Sequence, residues 1–325
     1  MAPPNSAPVA AGAPPSRLRA ALRAWFDSAA APVDPADGKR IDWLRVLPFV
    51  ALHLGCLAVL WVGWSATAVA VAAGLYALRM FAITAFYHRY FSHQAFRTSR
   101  AMQFLFAVLG ASAVQRGPLW WAAHHRHHHA HSDRPEDVHS ARQEGFLRSH
   151  MGWFLARENF ATRMRLVRDL ARFPELRWLD RYDVAVPAAL FVALWALGAW
   201  LEAVHPSLGT SSWQLVVWGF CISTVVLFHS TFVINSLAHC WGTRRYETSD
   251  DSRNNPLLAL VTFGEGWHNN HHRYPGAARQ GFYWWEFDLS WYGLKLLAAL
   301  GIVRDLRPVP LSILEAGRRG RRRQP

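Results

Sequence analysis

Residues 46–78 read VLPFVALHLGCLAVLWVGWSATAVAVAAGLYAL, a run of 33 without one Asp, Glu, Lys or Arg. About 20 apolar residues cross the hydrocarbon core of a bilayer, so this run is too long for one span. Gly63-Trp64-Ser65 supplies a turn, with Trp61 and Trp64 at interface depth. A hairpin of two helices follows, about 46–63 and 66–91. The pattern returns at 184–201 and 213–238, joined by a loop that holds Pro206 and Gly209. Helices 66–91 and 213–238 would each be about 39 Å long at 1.5 Å per residue, against a hydrocarbon core of about 30 Å. Both should project from the bilayer, and both run into histidines: His88 and His93 at the end of one, His239 at the end of the other. His53, Arg79 and His229 interrupt the spans and are expected to face the interior, hydrogen-bonded.

Outside the spans the charge is one-sided. Loops 62–65 and 202–212 carry no Lys or Arg, whereas 89–183 carries 15 arginines and the stretch after His239 carries 12 plus Lys295. The positive-inside rule puts both termini and the central segment in the cytosol, as two hairpins require. The expected fold is all-α: a polytopic membrane protein with four transmembrane helices in two hairpins and a cytosolic helical cap. Its parts are a flexible cytosolic tail over 1–40, a membrane domain over 41–310 with the cap at 92–183 and 239–310, and a basic tail over 311–325. No apolar stretch of signal-peptide type lies at the start, and the expected location is the inner, cytoplasmic membrane. Two weaker apolar stretches remain: 104–115 reads as an interfacial or re-entrant helix, and 282–303, with Glu286, Asp288 and Lys295 among its tryptophans, as a helix lying in the interface.

Composition agrees with this segregation. The 325 residues have a net charge of +13 and a mean hydropathy of +0.02, the average of apolar spans and a polar cap. The arginines of 318–323 suit anionic lipid beside the membrane, so no nucleic-acid partner is expected. Three widely spaced cysteines, Cys56, Cys221 and Cys240, exclude a disulfide scaffold, a Cys-ligated zinc module and an iron–sulfur cluster.

The 17 histidines carry the chemistry. They cluster in HRYFSH (88–93), in HHRHHH (124–129) and in EGWHNNHH (265–272), with His239 apart. The spacing H-x-x-H-H occurs twice, as His125, His128, His129 and as His268, His271, His272. Positions i, i+3 and i+4 share one helical face, and three imidazoles on one face are good metal ligands. With His88, His93 and His239 they make more ligands than one four-coordinate ion takes, so two metals are implied. Imidazole suits Zn, Cu, Fe or Ni alike. A carboxylate-bridged di-iron site is the rival arrangement, because Glu136-x-x-His139 and Glu265-x-x-His268 both occur. Asp137, Glu265 or Asp251 could orient the rings through their second nitrogen.

Taken together, HRYFSH, HHRHHH, NSLAH (235–239) and GEGWHNNHH (264–272) resemble the histidine boxes of the integral-membrane fatty acyl desaturases. The delta-9 type, which includes stearoyl-CoA desaturases and their bacterial and cyanobacterial relatives, matches well. The resemblance runs from about Leu44 to Trp285 and takes in GFLRSHMGW (145–153). It implies that His88, His93, His125, His128, His129, His239, His268, His271 and His272 hold two irons, with Asn235 meeting one iron through a water. His124, His127, His131 and His139 would then stand behind the ligands or on the surface. It implies also that Gln115, Trp121 and Thr231 line the bend of an acyl tunnel; Ala72, Ala73 and Tyr76 are candidates for its floor.

The implied activity is O2-dependent insertion of a cis double bond at delta-9 into a saturated acyl chain. Such a step on an unactivated methylene pair is beyond side chains alone, so a metal must carry it. Because the CH2 units are near-identical, only a measuring tunnel can choose between them. Electrons would come from an external ferredoxin-like or cytochrome-like donor with its reductase, docking on the basic cytosolic face. Zinc could enter the His site as an expression artefact. Animal acyl-CoA members have Arg-Asp before the first histidine of the second box, where this chain has Ala123-His124. Acyl-CoA therefore ranks only just ahead of acyl-lipid or acyl carrier protein as substrate. The competing functions are a membrane di-iron hydroxylase and a non-enzymatic membrane metal-binding protein.

Overall fold

The computed structural model describes residues 22–23, 25–30 and 38–323. Four helices are long and apolar enough to cross a membrane: α1 (Arg45–Val62), α2 (Ala66–Ser92), then α6 (Ala185–Val204) and α7 (Ser212–Cys240). Between them lie α3 (Arg100–Ala111), α4 (Pro118–His131) and α5 (Pro174–Arg181). After them come α8 (His268–Arg273), α9 (Leu289–Ala299) and α10 (Leu311–Arg323). The strand content is small, chiefly an antiparallel pair of two-residue strands, β1 (Arg97–Thr98) and β2 (Val303–Arg304), in register Arg97 to Arg304.

Each hairpin closes at a capped turn. Ser65 accepts a hydrogen bond from the Ala68 amide at the start of α2, and Ser211 does the same for Gln214 at the start of α7. The Ser65 and Thr210 hydroxyls bond each other and tie the two turns together. Small residues let the spans approach closely: a Cβ on Gly198 would overlap the Ser212 backbone. Outward positions stay apolar and exposed, among them Leu54, Leu60, Val192 and Trp195. Trp61 and Trp64 are exposed at the turn.

The interruptions in the spans face inward. Arg79 is fully buried and donates to Thr224 Oγ1 (2.7 Å), Ser223 Oγ (2.6 Å) and the carbonyls of Gly219, Leu75 and Ser112. Neutral acceptors thus satisfy a charge that lipid would expel. His53 and His229 bond through their Nε2 atoms, and His229 Nδ1 continues to His150 of the cap at 2.9 Å.

The cap core packs Phe86, Tyr87 and Phe91 of α2 against Phe106 of α3, Leu119 of α4 and Leu176 and Leu179 of α5. Phe86 and Phe106 stack with centroids 3.7 Å apart.

Two expectations need adjustment. Helix α3 begins at its Ser99 cap and ends at Ala111, and positive φ angles at Val114 and Arg116 take Gln115 out of the helix. In the second interfacial stretch only Leu289–Ala299 is helical. Glu286 and Asp288 are buried there instead of forming a polar outer face: Glu286 pairs with Arg245, and Asp288 caps α9 and pairs with Arg89. Residues 311–323 begin as a docked helix, whose Ile313 and Leu314 pack on Tyr246 and Tyr283. The flexible tail expected over 1–40 falls largely outside the described residues. Within it Asp27 pairs with Arg181 of α5, and Ser28 donates to the Asp180 carbonyl.

Candidate metal centre and its cavity

The histidines of the first box are five apart. In an α-helix that spacing puts side chains about 140° apart. Helix α2 avoids this by changing to π-helical winding over Ala82–Ser92, so that His93 N–H bonds back to His88 O. The i→i+5 pattern brings both rings to one face, a use of π turns common at functional sites.

Nine rings converge in two cages, each with its ligand atoms within 4.8 Å of one another. Cage A holds His88, His93, His125, His129 and His271; cage B holds His128, His239, His268 and His272. Each H-x-x-H-H is therefore split. The second box gives its i and i+4 rings to cage A and its i+3 ring to cage B. The third box does the reverse. Helices α4 and α8 face each other and exchange one ring each.

In cage A the Nε2 atoms of His88 and His271 lie 3.0 Å apart, those of His93 and His125 2.8 Å, and those of His129 and His271 2.9 Å. In cage B His239 and His268 meet at 3.1 Å. Carboxylates stand behind the rings. Asp137 accepts from His128 Nδ1 (2.9 Å), Asp133 from His239 Nδ1 (2.9 Å) and Asp250 from His272 Nδ1 (2.7 Å). Glu265 accepts from His88 Nδ1 in cage A. With the proton fixed on Nδ1, Nε2 turns a lone pair inward. His272 Nε2 has no partner among the described residues. Convergent lone pairs cannot satisfy one another, so the donor set fits a cation.

Electrostatics keep five of the nine donors neutral. Burial, with neighbouring imidazoles, holds His93, His125, His129, His268 and His271 well below the usual histidine range, hence neutral. Burial raises the carboxyls of Asp133, Asp137 and Asp250, yet their histidine partners hold all three below the usual range.

The carboxylate-bridged alternative finds no support in this geometry. Glu265 lies behind His88 and pairs with Arg89, and neither Glu136 nor Glu265 belongs to a cage. Of the carboxylates expected behind the rings, Asp137 and Glu265 are there. Asp251 instead pairs with Arg142 and Arg244, and its neighbour Asp250 takes the role. Asp133, Asp250, Arg89 and Gln280, which donates to Glu265 Oε2 at 2.9 Å, were not anticipated. Only the short Asp137-x-His139 spacing gave a local signal, since His239 and Asp133 are 106 residues apart.

A cavity of about 350 Å³ adjoins the cages, with Phe49, Leu52, Phe154, Phe228 and Phe232 on its walls and His125, His139 and Asn235 at the metal side. Gln115, Trp121 and Thr231 all line it and are bonded in series. Gln115 Nε2 donates to Thr231 Oγ1 at 2.9 Å, and Trp121 Nε1 to Gln115 Oε1 at 3.4 Å. Trp121 stacks on His125. Asn235 ends the α-helical part of α7, where the winding breaks at Ser236 before His239. Ala72, Ala73 and Tyr76 do not line this cavity. Ala72 packs on α7 through a bond from Ser223 Oγ, and Tyr76 O–H donates to the Val261 carbonyl. His139 sits on Asp137, His127 on the Glu136 carbonyl and His131 on the His127 carbonyl. His124 is buried against Trp120 and Trp153, with neither nitrogen bonded among the described residues.

Comparison with known proteins agrees in kind. The sequence profile described as fatty acid desaturase matches residues 62–308. An sn-2 palmitoyl-lipid 9-desaturase of Nostoc sp. is 35% identical over 280 residues, covering 84% of this chain and 93% of that protein. An sn-1 stearoyl-lipid 9-desaturase of Anabaena variabilis is 36% identical over 271 residues, covering 82% and 94%. An icosanoyl-CoA 5-desaturase of Limnanthes douglasii is 34% identical over 271 residues, covering 82% and 72%.

Proposed function

We propose, starting from the fact that this chain belongs to the fatty acid desaturase family and is an acyl desaturase, that it inserts a cis double bond at delta-9. The substrate is a saturated chain carried as a lipid ester or a CoA thioester. The observation that carries this reading is the pair of imidazole cages beside a largely apolar cavity that reaches cage A at His125.

In this reading cages A and B each hold one iron, and Asn235 orients a water toward one of them. Bound iron supplies the oxidising power that O2 brings to an unactivated C–H bond. The balance is –CH2–CH2– + O2 + 2 e⁻ + 2 H⁺ giving –CH=CH– + 2 H2O, with the electron pair from a ferredoxin-like or cytochrome-like donor and its reductase. The chain's own work is positional. Apolar walls exclude water and straighten the acyl chain. Gln115, Trp121 and Thr231 bend it so that one C–C bond faces the cages. Asp133, Asp137, Asp250 and Glu265 hold the ring tautomers. The cap and both termini face the cytosol of a cytoplasmic membrane, by the arginine distribution.

Expression in a desaturase-deficient host, with iron content measured and fatty acids profiled by double-bond position, tests this. New delta-9 alkenes are expected. A hydroxylated chain without alkene would assign the hydroxylase reaction instead, and iron-loaded protein inert with active donor would refute the proposal.

A further inference from the structure

We propose that Arg165, Arg168, Arg172 and Arg177 form the docking surface of an acidic one-electron carrier protein, placed so that electrons enter at cage A; this rests on the reading above that electrons come from an external donor. All four side chains are exposed, and with Met164 and Ala171 they surround one shallow surface pocket. None of the four makes an ion pair among the described residues. By contrast Arg97, Arg100, Arg142 and Arg181, also exposed, are answered by Asp305, Glu175, Asp251 and Asp27. Four unpaired cations round one depression attract and orient an anionic surface. The exposed Met164 among them offers the small apolar contact that such an interface uses.

What lies beneath sets this patch apart. Asp169 shares the single helical turn Arg168–Ala171 with two of the pocket residues. Its carboxylate accepts from Arg126 Nη1 (2.7 Å) and Nη2 (3.0 Å) and from Gln94 Nε2 (2.6 Å). Arg126 also donates to the carbonyls of Ser92 (3.0 Å) and Phe91 (2.8 Å) at the end of α2, and to the Leu166 carbonyl (2.9 Å). Arg126 follows His125 in the chain and Gln94 follows His93, and both histidines belong to cage A. The route from Arg168 to two rings of cage A is therefore continuous through covalent and hydrogen bonds. Electron tunnelling weakens most steeply across gaps, and this route has none.

The level of the patch favours a soluble protein over lipid headgroups. Helix α2 has 27 residues, about 40 Å at 1.5 Å each, against a hydrocarbon core of about 30 Å. Ser92 at its end, with Arg126 bonded to it, thus lies about 10 Å outside that core. The headgroup layer is only about 5–7 Å deep on each side.

The test uses the iron-loaded full chain in nanodiscs and two probes, a plant-type [2Fe–2S] ferredoxin and the soluble domain of an acidic b-type cytochrome, each with its reductase. The Kd of each probe is measured by titration, and donor-driven turnover is set beside turnover driven by dithionite. Wild type should bind one of the probes, less tightly as salt rises, and that arm identifies the class of carrier. The double variant Arg168→Glu, Arg172→Glu should weaken this binding about ten- to a hundredfold at low salt, a difference that fades toward about 1 M. The double variant Arg318→Glu, Arg319→Glu makes the same change of net charge on α10 and should leave the Kd unchanged. Dithionite needs no docking, so both variants should match wild type in dithionite-driven turnover and in KM for the acyl substrate. Asp169→Ala should keep the Kd and lower the rate at saturating donor, again with the dithionite-driven rate kept. Equal weakening by the two double variants, an unaltered Kd in Arg168→Glu, Arg172→Glu, or a wild type that binds neither probe would overturn the proposal. A loss confined to the KM of the acyl substrate would overturn it too and give these arginines to the acyl carrier. Wild type that binds the donor at this patch yet forms no alkene even with dithionite would keep the docking surface and remove the desaturation reading.

Discussion

Asp133 offers a sharp test of the two-cage arrangement, because it stands behind one ring of cage B only. Its Oδ2 accepts from His239 Nδ1 (2.9 Å) and from the Asp251 amide (2.8 Å), and its Oδ1 from Ser140 Oγ (2.6 Å). Its backbone is left-handed, with φ of 57°, a conformation that Asn also tolerates. Asp133→Asn can therefore keep the fold and the amide and imidazole bonds, turning its nitrogen toward Ser140. It removes only the charge behind His239. Loss of such a partner typically costs ten- to a hundredfold in metal affinity, about 1.4 to 2.7 kcal/mol. Cage A shares none of Asp133's contacts and should be untouched. The assay is metal retained per chain against time in chelator, after loading to saturation. Wild type should release both ions slowly. The variant should drop to about one ion per chain at a rate raised ten- to a hundredfold, and hold the second like wild type. Equal weakening of both ions, or of neither, would refute the reasoning.

Further outcomes follow from other contacts. Burial pushes the Asp180 carboxyl up to about 6, although it accepts from the Trp120 amide and Thr162. A carboxyl raised above its unfolded value of 3.8 contributes stability below about pH 4 that is lost as pH rises through 6. Wild type should therefore lose ground against Asp180→Asn between pH 4 and 6 in paired thermal melts, and a gap independent of pH would contradict this. A Cβ on Gly266 would overlap the Ala259 amide nitrogen, backbone that cannot step aside. Gly266→Ala should cost at least about 1–3 kcal/mol and displace the third box, read as lower denaturant resistance together with loss of bound metal. Thr231→Val removes the acceptor of the Gln115 amide. It should slow desaturation and spread the double-bond position while leaving metal content unchanged; an identical product profile would deny the bend to these residues.

The spans were legible because lipid imposes one rule on every outward residue, and a 33-residue uncharged run permits few solutions. The nine converging histidines were legible because i, i+3 and i+4 positions share a face. The same rule misled on detail. It suggested that each H-x-x-H-H acts as a unit, whereas the 100° step between His128 and His129 sends them to different cages. The spacing of His88 and His93 made sense only with π winding, which no periodicity announces. Asp133 and Asp250 reach their histidines through tertiary folding, and Asp250 cannot be told from Asp251 by sequence. The burial of Glu286 and Asp288 gave no signal along the chain, because the arginines they pair with, Arg245 and Arg89, come from distant segments.

The unequal backing of the cages bears on biogenesis. Three buried carboxylates stand behind cage B, and one, already shared with Arg89, behind cage A. Attraction between charges is little screened in such an interior, so a first divalent ion would be drawn to cage B. The two cages share no ligand, so an ion in B would leave His125, His129 and His271 to take a second ion independently. Two ions would then load in the order B and A by charge alone, with the half-loaded chain as the intermediate.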